Sequence, residues 1–231
     1  MKKAVLILIT LFATMTEAQE QKQIPQIAVN GEGKIKVKPD QVEINFGVEN
    51  FGKDAKEVKK LNDEKVDKVI KFIKKSGIAS VDYQTTNVSL NRNYDYDKKK
   101  YNYQAVQNIT ILLKDVSKYD EIMMGLVDND INSITNIEFK SSKIEEFKTE
   151  ARKAAMKDAK KKAEDYVSVL GQKVGKALLI TDNTQSYFPP QPMYKGAMRA
   201  MVEDSSAGAQ ETLAVGEIEV IATVSVSFIL E

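Results

Sequence analysis

The chain has 231 residues, 42% hydrophobic and 29% charged, with 34 Lys and Arg against 33 Asp and Glu. That balance excludes the disordered class, and the length suits one large or two small domains with a buried core. Cysteine and histidine are both absent. This removes disulfides, thiol chemistry, the imidazole base, and every His/Cys site for zinc or haem.

Lys2 and Lys3 precede an apolar run from Ala4 to Ala13, and small residues follow at Thr16 and Ala18. A positive end, a short apolar core and a small-residue site predict a secretory signal peptide over residues 1–18, cut before Gln19. The run is too short to span a bilayer as a helix, which takes about 20 residues. Losing Lys2, Lys3 and Glu17 leaves 32 basic and 32 acidic residues. A neutral chain has no general pull toward nucleic acid or anionic lipid. Without cysteine there is no thiol for the bacterial lipoprotein route. A protein soluble in the periplasm, or secreted, is expected.

Along the chain, Ile27, Val29, Ile35 and Val37 alternate with polar residues, as do Val42, Ile44, Phe46 and Val48 after a Pro39-Asp40 turn. The pattern predicts a β-hairpin with one buried face. Asp54 and Glu57 predict a capped helix carrying Val58, Leu61, Val66, Val69, Ile70 and Ile73, stopped at Gly77. Two long strands follow, over about 81–96 and 101–113, with a turn over 97–100. A change of parity near Thr85-Thr86 predicts a β-bulge. Ser117 and Asp120 open a short helix with Ile122, Met123, Leu126 and Val127, and a strand over 134–140 succeeds it.

The longest helix is predicted over about 143–170, with Ser142 and Glu145 as capping box and Gly171 as stop. Its inner face is Ala151, Ala155, Ala159 and Ala163, flanked by Phe147, Tyr166 and Leu170. Its lysines at 157, 160, 161 and 162 fall among acidic residues and read as a solvated face. A short strand over 177–181 leads to a Pro-, Gly- and Ser-containing mobile loop over 183–216. Ile218 to Leu230 alternate as a final strand. The fold class is therefore α/β (α+β), a largely antiparallel sheet packed by two long helices and one short one, in a single domain over residues 19–231.

Three features bear on function. Gly31-Glu32-Gly33 lacks the third glycine and the following helix of a dinucleotide fingerprint, so close backbone approach is the better account of these glycines. Asp128, Asp130 and Asn132 have the opening spacing of a calcium loop, but Ser133 and Phe139 stand at the required Gly and Glu. A polar turn is expected there. Tyr94, Tyr96, Tyr101 and Tyr103, with Arg92, flank the tip of the long hairpin. They form a candidate partner contact, or a cross-strand cluster that steadies the hairpin. No carboxylate pair stands out for acid/base work. The chain reads as non-enzymatic, with no catalytic residue, cofactor or metal.

Seven segments stand in a fixed order: Ile27-Ala28-Val29-Asn30-Gly31-Glu32-Gly33, Pro39-Asp40, Tyr103-Gln104-Ala105, Asp115, Ile137-Glu138-Phe139, the alanines from 151 to 163 and Leu170-Gly171. In these segments and their spacing the layout resembles the SIMPL domain family, bacterial periplasmic and outer-membrane immunogenic proteins once described only as a domain of unknown function. Asn102 replaces the glycine usual before the Tyr-x-Ala strand. The resemblance implies envelope association, in some members a link to oxidative-stress tolerance, and homo-oligomers of ring-like or channel-like form. It carries over no catalytic residue. The function expected is self-assembly or partner binding in the envelope. The alternative is binding of a small ligand, with carboxylate, Lys or Tyr enzyme chemistry third.

Overall fold

The computed structural model describes residues 24–97, 99–184 and 215–231. The signal peptide and most of the 183–216 loop lie outside the described residues. Among the described residues seven strands run in chain order: β1 (Gln26–Val37), β2 (Gln41–Gly52), β3 (Tyr83–Asp95), β4 (Lys100–Leu113), β5 (Ser133–Lys140), β6 (Val174–Asp182) and β7 (Ile218–Leu230). Three helices intervene: α1 (Ala55–Lys75), α2 (Tyr119–Asp128) and α3 (Ile144–Ser168). The antiparallel α+β class is as the sequence predicts, with the strands divided between two sheets, β1-β7-β6 and β3-β4-β2-β5.

The chain forms two compact units. The larger comprises residues 34–151 with the start of β7, and is built on β2. β2 pairs with β4 on one edge, Val42 opposite Leu113 through to Gly52 opposite Tyr103. On the other edge it pairs with β5, Gln41 opposite Lys140 through to Gly47 opposite Ser133. With both edges of β2 occupied, the predicted hairpin between the first two strands does not form: β1 pairs with β7 instead. Asp40, in the turn between them, donates its N–H to the Lys140 carbonyl at 3.2 Å.

Val42, Ile44, Phe46 and Val48 point to one face of this sheet and are fully buried with Ile109 and Ile111 of β4. α1 lies on that face through Val66, Val69 and Ile73, and α2 adds Ile122 and Leu126. Each such side chain contributes about 1.5–3 kcal/mol relative to exposure. The Asp54 carboxylate caps α1, accepting from the Lys56 and Glu57 N–H groups at 2.8 and 3.0 Å. Gly77 ends it at φ +79°. One helical position differs from the predicted stripe. Leu61 is exposed and Asn62 is buried, because Asn62 continues the four-residue step from Val58 to Val66. Its Oδ1 accepts from Asn50 Nδ2 at 2.9 Å, so two buried carboxamides satisfy one another. The β-bulge appears as a register shift between Thr85 and Asn87. Asp115, rather than Ser117, caps the turn into α2, its carboxylate accepting from the Ser117 N–H at 3.0 Å and hydroxyl at 2.6 Å.

The predicted capping box of the long helix is absent for a visible reason. Ser142 gives its hydroxyl and N–H to the Asp40 carboxylate, at 2.5 and 2.7 Å. Ser141 serves the helix start instead, its Oγ accepting from Lys143 N and its carbonyl from Ile144 N.

The smaller unit holds residues 24–33, 152–184 and 222–231. Its core comes from α3 and the three-stranded sheet. Ala155, Ala159, Ala163 and Val167 are buried in steps of four, beside Val29 of β1 and Val224, Val226 and Phe228 of β7. That step carries the stripe through Val167, so Tyr166 and Leu170, predicted inside, lie exposed. Gly31 is where the helix comes closest. A Cβ there would stand 2.0 Å from the Ala155 carbonyl oxygen and 2.7 Å from the Ala159 Cβ. Polar bonds hold the same contact: the Glu32 N–H donates to Asp158 at 2.9 Å, and Lys162 Nζ donates to Asp158 at 2.7 Å and to the Asn30 carbonyl at 3.1 Å.

Two outcomes follow for stability. Gly31→Ala forces α3 off β1 and lowers the unfolding free energy by about 1–3 kcal/mol, the usual cost of overpacking; a urea melt measures it, and an unchanged midpoint contradicts the contact. The Ser142 bonds hold the Asp40 carboxyl below its ordinary 3.8. A lowered folded pKa contributes stability that is present above the unfolded value and lost as pH falls through the folded one. The gap in melting temperature between the parent and Asp40→Asn is therefore widest at neutral pH and closes below about pH 3–4. A gap that stays constant with pH contradicts the assignment.

Candidate functional site

The hairpin of β3 and β4 outruns its neighbour. β2 ends at Gly52 opposite Tyr103, and three more rungs continue beyond it: Asn93–Asn102, Tyr94–Tyr101 and Asp95–Lys100. Lys99 turns the chain at φ +48°, and the Asp95 carboxylate accepts the Asp97 N–H at 3.1 Å.

Opposite residues in an antiparallel pair share a face, as do residues two apart. Arg92 stands opposite Tyr103 and Tyr94 opposite Tyr101, so these four lie on the sheet face that also carries α1. The Tyr94 and Tyr101 rings meet edge-on at 5.0 Å, and Tyr96 adds a second edge contact to Tyr94 at 5.1 Å. The Arg92 guanidinium lies 4.4 Å from the centre of the Tyr101 ring. Aromatic pairs of this kind contribute about 0.5–1.5 kcal/mol, and an exposed cation–π contact about 0.5–1 kcal/mol. The cluster thus steadies rungs that have no third strand. It also stays open to solvent: Tyr94, Tyr96 and Tyr101 are exposed, Tyr96 by 83%, while Tyr103 is half-buried. All five predicted residues come together at one end of the sheet.

The other sequence features have structural uses. Asp130 pairs with Lys68 at 3.0 Å, which holds its carboxyl below the usual range. Asn132 grips the Glu49 main chain, accepting its N–H at 2.8 Å and donating to its carbonyl at 2.6 Å. Among the described residues no three acidic side chains converge to hold a metal. A depression of about 330 Å³ lies between the end of α1, the end of β4 and α2, lined by Ile78, Leu113 and Ile122. Of its charged groups, Lys114 bonds to Asp82 at 2.7 Å and Asp115 to Ser117 at 2.6 Å. Among the described residues no helix is long and apolar enough to cross a membrane.

The family described as SIMPL, "Protein of unknown function (DUF541)", matches residues 27–228. The chain is 28% identical over 219 residues to the uncharacterized protein YggE of Escherichia coli, covering 93% of this chain and 87% of that one. It is 27% identical over 210 residues to the 26 kDa periplasmic immunogenic protein of Brucella melitensis, covering 85% and 83%. A human protein, interleukin-1 receptor-associated kinase 1-binding protein 1, is 21% identical over 172 residues, covering 73% and 64%. The family match spans both compact units and every strand and helix that builds them: the chain belongs to the SIMPL family.

Proposed function

We propose that this is a non-enzymatic envelope protein, exported on its signal peptide as a single domain, which acts through self-assembly or partner binding at the hairpin tip. The observation that carries the reading is the tip itself. Three exposed tyrosines and a stacked arginine, the residue types enriched at binding hot spots, gather at the end of the sheet, where the Tyr94–Tyr101 rung has no third strand. Edge strands add to it. Leu178, Leu179 and Ile180 of β6, and Val88 and Leu90 of β3, are exposed on strands that end their sheets. Apolar edges of this kind invite association. The periplasmic location in the name of the Brucella relative supports the compartment.

The 330 Å³ depression does less for the small-ligand reading, because Lys114 and Asp82 pair with each other and Asp115 with Ser117, rather than aiming at a common point. An envelope-stress role enters only as one setting in which such a protein would act.

Light scattering on the purified protein at about 50 µM, enough to populate micromolar self-association, decides the assembly reading. The expected result is an oligomeric parent and a folded, monomeric variant in which Tyr94, Tyr96, Tyr101 and Tyr103 are all replaced by Ser. Monomers in both cases remove self-assembly. The same oligomer in both cases removes the tip as its contact.

A further inference from the structure

The hydrophobic core occupies one face of the four-stranded sheet. The opposite face is mainly polar. Across β3 and β4, Asn93 stands opposite Asn102, Asn91 opposite Gln104, and Asn87 opposite Asn108, with Ser89 opposite Val106 between the last two pairs. One strand further, Asn45 of β2 stands opposite Thr110 on one side and Asn136 on the other. Directly opposite side chains have Cβ atoms about 4.5–5.5 Å apart, and every carboxamide offers both a donor and an acceptor. The contiguous amide patch is thus the one nearest the hairpin tip, Asn93–Asn102 and Asn91–Gln104.

Part of this patch is held in place. Asn93 Nδ2 donates to Gln104 Oε1 at 2.9 Å, and Gln104 Nε2 donates in turn to the Glu49 carboxylate. The line runs from β3 through β4 to β2, and Asn132 fixes the Glu49 main chain at its end. At Gly47 the next side chain leans over bare backbone: a Cβ there would meet Asn108 Oδ1 at 2.6 Å. Beside the line stands Phe51, opposite Gln104 and 64% exposed. An aromatic ring left in water beside ordered amides is not explained by the core.

The charged groups on this face are mixed in sign: Lys140 Nζ lies 2.5 Å from Glu43 and 3.7 Å from Glu138, Asp95 stands opposite Lys100, and Glu49 takes the Gln104 amide. Among the described residues this face has no basic excess to hold nucleic acid or anionic lipid. Protein interface centres are enriched in several aromatics, Met and Arg, and this face has one ring among its amides, with Val106 and Leu112 half-buried between strands. Adjacent hydroxyls on a sugar ring each donate and accept, which matches paired carboxamides, and the apolar side of the same ring covers an exposed aromatic. We propose that this face binds a neutral oligosaccharide laid across β2, β4 and β3, with one sugar ring stacked on Phe51. The site is on the opposite side of the sheet from the tyrosine cluster and is independent of the assembly reading.

Calorimetry with hexasaccharides of glucose, mannose, galactose and N-acetylglucosamine tests it. At least one binds the parent, and Phe51→Ala and Gln104→Ala each weaken that binding about tenfold, the loss of one stacked ring or one good hydrogen-bonding group. Tyr101→Ala, on the other face, changes it less than about twofold, and so does raising NaCl from about 50 to 500 mM, because no ion pair is involved. Phe51 is exposed, so its variant keeps the parent circular dichroism and melting temperature. The proposal is overturned if no hexasaccharide binds at about 5 mM, an affinity weaker than any specific site. It is equally overturned if Phe51→Ala binds as the parent does, if Tyr101→Ala loses as much, or if salt abolishes binding. Should Phe51→Ala instead turn an oligomer into a monomer with no sugar bound by either, a second copy of the chain is the occupant.

Discussion

The rest of the larger unit depends on the double pairing of β2. One apolar strand accepts β4 along one edge and β5 along the other, and turns Val42, Ile44, Phe46 and Val48 toward α1 and α2. With both edges of β2 paired from Val42 to Gly47, β1 pairs elsewhere, with β7 at the far end of the chain. Only one face of β2 is covered by helices, so its polar residues, Glu43, Asn45 and Glu49, belong to the other side of the sheet. β2 is also shorter at its end than the hairpin beside it, which leaves the tyrosine-bearing rungs projecting. Core, topology and both candidate surfaces follow from how this one strand is used.

Much of this was legible in the sequence, and the exceptions have local causes. Strand and helix positions followed from periods of two and about 3.6, because burial of one face imposes them. The bulge at Thr85–Asn87 showed as a break in alternation. The close approach at Gly31 was readable as a glycine with no loop to explain it, yet the partner, Ala155 and Ala159 of α3, lies too far along the chain for local pattern to name. Strand partnership failed for the same reason: a Pro-Asp turn between alternating segments looks like a hairpin whether or not the two strands pair. Ser142 stands where a cap would, but Asp40, about a hundred residues earlier, takes both of its donors. Asn62 sits at an apolar position of the α1 stripe, and that spacing was the signal for a buried amide.

For the candidate sites, the tip tyrosines were evident as a cluster around a turn. The polar face was not, since its amides are spread over β2, β3, β4 and β5 and become neighbours only through register. Three of the segments that carry the family resemblance serve the fold. Gly31 brings β1 against α3, Asp40 ties the β1–β2 turn to the start of α3, and Asp115 caps the entry to α2. The two surfaces proposed for function, the hairpin tip and the outer sheet face, both lie on the β3–β4 hairpin and its neighbour β2.

Native-state hydrogen exchange measures the dependence on β2 most directly, since protection reports the free energy needed to open each amide. The amides of Val42 to Gly47, in the stretch paired on both edges and backed by the core, are predicted to exchange slowest, at the rate of global unfolding. Those of Asn93 to Asp95 and Lys100 to Asn102 should exchange many times faster. β2 amides exchanging as readily as those of the hairpin tip would contradict the account.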